Sequence, residues 1–381
     1  MSSDKKPKKR LRRLIGIVFS LVSLAALTYI AVTLISGRSL DMSWLGGIFS
    51  PRAQVEAVDE YHFEVGRDRV FAALGDSVAA AGTLGVQVID VGGNETLREA
   101  FRMSRPALRE ENGRAVAFDI GGTAVRVFSG RQIISSIEAG GQIVSASINK
   151  NGWFCVCTQE GGALRGVATV YNDSGTAVYR VSLASGYALS AALSPDNKNL
   201  AVLNLTDEGS RITIYQGLSK QEPDSAFNLN GGLILEMRYL SNGSLLAVSS
   251  DALVVLDKSG ASSIFYEYFD KRLGGYAFDG GYIALHLLDY GVGYGGRLVT
   301  LDEKGRQVGE LATDRELVSI SFGKGRLAVL RNDGLAFYDP ELLELLPLGD
   351  YAPPVGANAI LALGNGAALV TGENSAIVVR S

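Results

Sequence analysis

Apolar and polar positions repeat along this chain with a period of about 40 residues, a spacing typical of repeat architectures. Each copy contains a short apolar strand, usually with a small residue in its middle, and a second strand that ends in a polar or glycine turn. The first of these strands reads Val78-Ala79-Ala80, Val116-Ala117-Phe118, Phe154-Cys155-Val156, Leu200-Ala201-Val202, Leu246-Ala247-Val248, Ile283-Ala284-Leu285, Leu327-Ala328-Val329 and Leu369-Val370 in successive copies. About four short strands per period are typical of a propeller blade, so the pattern predicts an all-β propeller.

The repeat divides the domain into blades of similar length. Seven complete blades are predicted, over residues 68–104, 105–141, 142–186, 187–232, 233–272, 273–315 and 316–354. The last copy, residues 356–381, supplies only three strands. We expect residues 54–65 to supply the fourth, because closing the ring with strands from both ends removes an open sheet edge. The prediction is eight four-stranded blades, with seven as the alternative if residues 54–65 do not form a blade strand.

The two cysteines, Cys155 and Cys157, do not indicate a disulfide framework. They lie two positions apart on one predicted strand, at or beyond the Cα separation that a disulfide tolerates. Cys155 takes the place that alanine holds in six of the other copies. We therefore expect Cys155 to be a small buried residue with no redox role.

The N-terminal segment has the features of an uncleaved signal-anchor. Leu14 to Ile35 contains no charged residue, and a helix of that length would be about 33 Å long, enough to cross a bilayer. Seven basic residues precede it, which places the N-terminus in the cytoplasm and the body outside it. A cleaved signal peptide, the alternative, would have a shorter apolar region. We predict a basic tail over 1–13, a transmembrane helix over 14–36, a juxtamembrane linker over 37–51 and the propeller over 52–381.

The net charge of −4 is unevenly distributed along the chain. Residues 1–13 carry seven basic groups and one acid, a balance of +6, which leaves −10 for the remainder. An acidic body is a poor nucleic-acid binder, because phosphate neutralisation needs clustered Lys and Arg. We therefore expect no nucleic-acid partner.

Motifs of known chemistry are weak or occur in the wrong context. Residues 291–296 match G-x-G-x-x-G, but the segment leads into another strand, whereas a dinucleotide site needs a helix there. With only two histidines, His62 and His286, a His/Cys metal centre is not expected. We interpret His286 as a hydrogen-bonded core residue. The sequence therefore predicts no catalytic residue, no cofactor and no metal ligand, and an enzyme is the less favoured interpretation.

One connection is a candidate ligand-contact loop. It joins the second and third strands of blade six, is longer than its counterparts, and carries Asp289, Tyr290 and Tyr294 among glycines. Exposed tyrosines on a loop suit peptide or glycan contact, and a solvated insertion is the alternative. Four aromatic residues on the outer strand of blade five are interpreted as a packed strand rather than a contact patch: Phe265, Tyr266, Tyr268 and Phe269.

Residues 193–202 read Leu-Ser-Pro-Asp-Asn-Lys-Asn-Leu-Ala-Val. They resemble the Ser-Pro-Asp-Gly-Lys-x-Leu-Ala-Val motif of bacterial WD-repeat-like propellers, with Asn197 in place of the usual glycine. The layout of a basic tail, one span and a glycine-rich propeller is similar, over nearly the full chain, to an uncharacterised bacterial family of membrane-anchored propellers. That resemblance implies the fold and the anchor, and it brings no assigned activity or site residue.

These features predict a single-pass protein of the cell membrane with an extracytoplasmic propeller. We expect a non-enzymatic module that binds or scaffolds a protein or glycan of the cell envelope. The alternative is an envelope hydrolase with carboxylates in the propeller channel. Channel carboxylates with shifted pKa values would favour the hydrolase, whereas an apolar or weakly polar channel beside an exposed aromatic patch would favour the binding module.

Overall fold

The structure is a computed structural model that describes residues 56–160, 166–183, 185–291, 293–346, 352–373 and 375–380. All of these residues belong to one compact unit, Ala53–Ser381. Every regular element within them is a β-strand, and they include no helix of the length and hydropathy that a bilayer crossing requires. The predicted tail, transmembrane helix and linker lie outside the described residues.

The described strands form eight antiparallel sheets of four strands each, which are the blades of a propeller. Each blade runs from strand a, which contacts strand a of its neighbours and is therefore innermost, through b and c to the outer strand d. Blades one to four contain β2 (Val70–Leu74), β3 (Ser77–Gly82), β4 (Gly85–Ile89), β5 (Glu95–Ala100); β6 (Pro106–Glu111), β7 (Arg114–Asp119), β8 (Ala124–Ser129), β9 (Ile133–Glu138); β10 (Gln142–Ile148), β11 (Phe154–Gln159), β12 (Gly166–Tyr171), β13 (Ala177–Leu183); and β14 (Tyr187–Leu193), β15 (Asn199–Thr206), β16 (Gly209–Gln216), β17 (Ser225–Asn230).

Blades five to eight contain β18 (Ile234–Tyr239), β19 (Leu245–Ser249), β20 (Ala252–Leu256), β21 (Ser262–Glu267); β22 (Lys271–Asp279), β23 (Tyr282–Asp289), β24 (Gly296–Asp302), β25 (Gln307–Thr313); β26 (Leu317–Gly323), β27 (Arg326–Arg331), β28 (Gly334–Tyr338), β29 (Glu344–Leu346); and β30 (Ala359–Ala362), β31 (Ala368–Thr371), β32 (Ala376–Arg380) and β1 (Glu56–Glu60). The prediction of an all-β propeller with eight four-stranded blades is confirmed. One blade boundary is wrong, because β22 begins at Lys271, where this residue pairs with Asp289, rather than at Leu273.

Strands from both ends of the domain close the ring, as predicted. β1 pairs antiparallel with β32 and becomes the outer strand of blade eight. Directly after β1, the side chains of Tyr61, Phe63 and Val65 are buried between blades eight and one. The Tyr61 amide also donates to the Ala376 carbonyl at 2.7 Å. Blade eight therefore reaches four strands only because the first described strand joins it.

The core is a ring of clusters, and in the described residues each of the eight clusters is shared by two neighbouring blades. The small residue of strand b is at most 1% exposed in every copy that carries one: Ala79, Ala117, Cys155, Ala201, Ala247, Ala284 and Ala328. A small side chain at this position lets adjacent sheets approach closely. Cys155 is a free buried thiol, as predicted, and burial raises its pKa, so it stays protonated and unreactive at neutral pH.

The departure from glycine at Asn197 has a structural reason. Asn197 has a φ of 61°, in the left-handed region that asparagine tolerates better than most residues. Its Oδ1 atom accepts hydrogen bonds from the Nδ2 groups of Asn149 at 2.6 Å and Asn151 at 3.2 Å. Asparagine thus keeps the turn and adds a link between blades three and four that glycine could not make.

Removal of the closing segment should destabilise the ring. A protein that lacks residues 1–65 loses β1 and three buried side chains, whose burial contributes about 4 to 9 kcal/mol. Circular dichroism melting should show a large fall in Tm, or aggregation through the exposed edge of β32. The matched control lacks only residues 1–52, retains β1, and should keep a cooperative transition at the higher Tm. Equal melting temperatures for the two proteins would contradict the closure.

Candidate functional site

The antiparallel blades give the propeller two different faces. The b–c and d–a connections lie on one face, which we call the upper face, and the a–b and c–d connections lie on the opposite, lower face. Binding residues are concentrated on such connections because a rigid scaffold positions them without needing them for its core. Binding residues are therefore expected on the upper face and in the channel between the inner strands.

The predicted contact loop lies on the upper face of blade six, between β23 and β24. Tyr290 is 70% exposed and Tyr294 is 52% exposed. The Asp289 carboxylate instead forms an ion pair with Lys271, its partner in the β22–β23 ladder. The two tyrosines are accessible to a ligand, whereas Asp289 fixes the base of the loop.

Further apolar side chains are exposed on the upper face of blades four to six. Together with the two tyrosines they form a set that we call the apolar patch: Tyr187, Leu233, Leu235, Phe269, Tyr290 and Tyr294, each more than half exposed. Single exposed apolar residues are ordinary on protein surfaces, but several on one face indicate an interaction site. The structure thus places the predicted loop within a larger apolar surface.

Hydrogen bonds hold the connections that carry the patch side by side. The contacts are Ser250 N–H to Leu233 O at 3.2 Å, Tyr268 N–H to Asp251 O at 3.1 Å, and the ladder pair of Lys271 with Asp289. The first two contacts join the entrance of blade five to the end of its outer strand. The third joins the entrance of blade six to its long loop, so the backbone segments that bear the patch residues of blades five and six are linked to one another.

Bulges in the inner strands shape the mouth of the channel on this face. The inner strands of blades three to seven each contain one unpaired residue near their upper end: Val144, Leu189, Leu235, Gly274 and Val318. A β-bulge redirects a side chain away from the regular pleat. In blade five the redirected side chain is Leu235, which is 53% exposed and therefore belongs to the patch.

The four aromatic residues between positions 265 and 269 differ in burial. Phe265, Tyr266 and Tyr268 pack into the cluster between blades five and six, as predicted for a packed strand. For Phe269 that prediction is wrong: it lies beyond the end of β21 and is 69% exposed. Its φ of 58° is in the left-handed region, which is unfavourable for a bulky side chain, and its ring packs edge-to-face with that of Tyr266, at 6.5 Å between centroids.

Carboxylates without ion-pair partners border the patch. Asp207 and Glu208 are exposed on the b–c turn of blade four, Asp251 on the b–c turn of blade five and Asp270 beside Phe269 on the connection into blade six; we call these four the acidic rim. None of them forms an ion pair with any described residue. Arg272 is also exposed nearby and, within the described chain, lacks an ion-pair partner too. The upper face of these blades therefore combines apolar side chains with a net negative charge.

A polar network crosses the channel. Arg238 of blade five donates to Glu111 Oε2 of blade two at 3.0 Å, and its guanidinium lies 4.6 Å from the ring centroid of Phe278. Blades two and five are not neighbours, so this ion pair spans the interior of the ring. The Tyr276 hydroxyl donates to Glu236 Oε2 at 3.1 Å on the same side. The channel is thus more polar than the binding-module interpretation expected.

Glu110, next to this network, has a perturbed pKa. Burial raises its pKa to about 7, and the negative charge of Glu111 acts in the same direction. A carboxylic acid of that pKa could serve as a general acid near neutral pH. Glu110 and Glu111 are consecutive in β6, so their side chains point to opposite sides of the strand. They do not form the facing pair that glycoside hydrolysis needs.

The other candidate groups, His286 and possible metal ligands, give no indication of a functional site. His286 is 5% exposed, and burial lowers its pKa to about 4, so it is a neutral core residue as predicted. The expected hydrogen bond is missing at its Nε2 atom, which has no partner in the described part of the chain. Among the described residues, no group of three or more His, Cys, Asp or Glu side chains could hold a metal ion.

Sequence reasoning missed four of the six patch residues, although the repeat contained a signal. Tyr187 and Leu233 each follow a glycine at or just before the start of an inner strand, where blade three has Gln142. An apolar residue at an exposed position that is polar in another copy of the repeat indicates a surface residue with a role other than contact with solvent. Leu235 and Phe269 gave no such signal, because a bulge and a left-handed backbone expose them.

Comparisons with known proteins agree with this fold. The family model described as "Family of unknown function (DUF5711)" matches residues 52–341, which confirms the expected kinship with an uncharacterised family. No curated protein matches the sequence. The C-terminal WD40 domain of Sif2 is 15% identical, with a TM-score of 0.60 over 87% of this chain and 99% of that domain.

Two further solved structures are similar. Sqt1 from Saccharomyces cerevisiae is 11% identical, with a TM-score of 0.57 over 86% of this chain and 99% of its own. BamB from Moraxella catarrhalis is 14% identical, with a TM-score of 0.53 over 86% of this chain and 100% of its own. At these identities the similarity shows the propeller fold and nothing about ligands.

The raised pKa of Glu110 should make stability depend on pH. The pKa of Glu110 in the folded protein, about 7, exceeds its usual value of 4.5. The contribution of Glu110 to the free energy of unfolding is therefore fully present below the unfolded-state pKa and is lost as the pH rises through the folded-state pKa. Relative to Glu110→Gln, the wild type should lose about 2 to 3 kcal/mol of unfolding free energy between about pH 5 and pH 8. Urea denaturation at both pH values measures this. Parallel pH profiles for the two proteins would contradict the assignment.

Proposed function

We propose that this chain, which belongs to the Family of unknown function (DUF5711), is a membrane-anchored extracytoplasmic module that binds a protein or glycan of the cell envelope. The observation that carries the proposal is the apolar patch, a set of exposed apolar side chains on one face of a closed ring. The connections that bear the patch on blades five and six are linked by hydrogen bonds, and all of them except the blade-six loop are short. A surface held in this way loses little conformational entropy on binding.

The composition of the patch supports binding rather than incidental exposure. Three of its six residues are tyrosine and one is phenylalanine, and aromatic residues are enriched at protein interfaces and supply much of their binding energy. Tyrosine combines an apolar ring with a hydroxyl that tolerates water, so it remains soluble when unbound. The patch can therefore stay exposed in the free protein and become buried on contact.

The anchor in this proposal rests on the sequence of residues 1–36. An uncharged run of 22 residues follows seven basic ones, which suits a single span with its N-terminus in the cytoplasm. Tethering to a membrane raises the effective concentration of a binding domain toward other envelope components. A patch of modest affinity would then be sufficient to hold a partner.

An envelope hydrolase is a second candidate, and Glu110 favours it. Its pKa of about 7 suits a general acid, and it lies beside the channel network. Against this role, Arg238 holds Glu111 at 3.0 Å, and Tyr276 is bonded to Glu236. Both neighbouring carboxylates thus have partners within the protein, so the binding module is the better supported function.

The anchor predicts how the protein fractionates. The full chain should remain in the membrane pellet after carbonate extraction of native cells, because a spanning helix is not released by high pH. The matched protein that lacks residues 1–52 should be recovered in the soluble cytoplasmic fraction. Recovery of the full chain in the carbonate supernatant would contradict the anchor.

The binding role predicts a site-specific crosslink. A photo-reactive amino acid at Tyr290 of the full chain should capture a reproducible envelope component in native cells, and Phe269→Ser should reduce the yield about tenfold. The control position is Ile264, which is 66% exposed on the outer strand of blade five, outside the patch. Equal products from positions 290 and 264, or no product from 290, would contradict the binding role.

The variant Glu110→Gln separates the two candidate functions in the same cells. A binding module should give the Tyr290 crosslink at unchanged yield in this variant, because Glu110 is not part of the patch. A hydrolase that uses Glu110 should instead accumulate uncleaved substrate and give more crosslinked product.

A further inference from the structure

We propose that the apolar patch and the acidic rim together form a docking surface for a protein segment that carries Lys or Arg side chains beside apolar ones. This inference rests on the proposed binding function and specifies the chemistry of the partner. The patch supplies area that is buried on contact, and the rim supplies charges that the partner must match.

The rim is the first support for a cationic partner. Four exposed carboxylates, Asp207, Glu208, Asp251 and Asp270, lie on the connections of blades four to six and form no ion pair within the described residues. Arg272 offsets one of these charges at most. Elsewhere on the same blades the protein does pair such groups, as with Asp289 and Lys271. Carboxylates left unpaired around an apolar surface attract cations and repel acidic competitors.

The apolar members of the patch favour a protein segment over a glycan. Leu233 and Leu235 are more than half exposed, and their side chains offer no hydrogen-bond partner to a sugar hydroxyl, which is costly to desolvate unpaired. Apolar side chains of a peptide lose nothing by contact with leucine. Lys and Arg side chains can also lay their methylene stems on tyrosine and phenylalanine rings while their charged ends reach the carboxylates.

The backbone of Phe269 is the third support. A residue with φ near +58° is less strained as asparagine or glycine than as phenylalanine. The exposed ring makes one edge contact with Tyr266 and contributes little to the core. A large ring kept at a position where a smaller residue would be more stable is consistent with a role in contact.

The test is a selection of random dodecapeptides displayed on phage against the full chain in detergent micelles. Enriched peptides should combine Lys or Arg with Leu, Phe or Trp. Asp251→Lys with Asp270→Lys should weaken their binding about tenfold or more, and raised salt should do the same. The matched control, Asp173→Lys with Glu222→Lys, makes the same charge change in exposed c–d connections of the lower face and should leave binding unchanged.

The variant Phe269→Asn distinguishes contact from structure. It should raise or preserve Tm, because asparagine suits the left-handed backbone, and yet reduce peptide binding about tenfold. A variant that loses Tm and binding together would show that Phe269 is structural and would remove this support.

The other outcomes are also decisive. Enriched peptides that are acidic or lack a charge bias, equal binding to the rim and control variants, or no enrichment would overturn the inference. Chito-oligosaccharide is offered in parallel as the glycan probe. If that glycan binds in a Tyr290-dependent manner and peptides do not, the proposed binding function stands and the peptide inference falls. If neither probe binds and position 290 gives no crosslink in cells, both fall.

Discussion

The architecture of this protein depends on the pairing of β1 with β32. Without that pairing the last blade would have three strands and an open edge, and the cluster around Tyr61, Phe63 and Val65 would not form between blades eight and one. Each cluster of the core belongs to two blades, so no blade has a complete core of its own. Closing the ring therefore stabilises every blade by completing the one interface that sequence neighbours cannot make.

A closed ring separates stability from function. Strands b and c carry most of the fully buried side chains, and the connections that bear the apolar patch leave its six side chains more than half exposed. Those connections can carry exposed tyrosine, leucine and carboxylate side chains without weakening the fold. The same rigidity holds the inner strands of blades two and five at the separation that lets Arg238 reach Glu111 across the channel. The patch and the channel network are thus different consequences of one scaffold.

The fold was predictable from sequence because every blade repeats the same packing problem. Seven strands with a small central residue, such as Ala79 and Cys155, were enough to predict eight blades, and the incomplete last copy predicted the closure. The loop with Tyr290 and Tyr294 was visible because it is longer than its counterparts.

The remaining features needed the structure because they join distant parts of the chain. Arg238 and Glu111 are 127 positions apart, and neither has an unusual local sequence. The patch draws its residues from several connections, and Leu235 and Phe269 are exposed by backbone geometry rather than by residue type. The raised pKa of Glu110 arises from burial that the polar strand Leu-Arg-Glu-Glu does not suggest.

Hydrogen–deuterium exchange of the full chain tests the closed ring most directly. In a closed ring, amides of β1 should exchange as slowly as those of β32 and β31, because all three are strands of one blade and open only when the ring opens. Amides of the blade-six loop around Tyr290 should exchange fast in the same experiment and serve as the internal reference. Exchange of β1 at the rate of that loop, with β31 still protected, would contradict the closed ring.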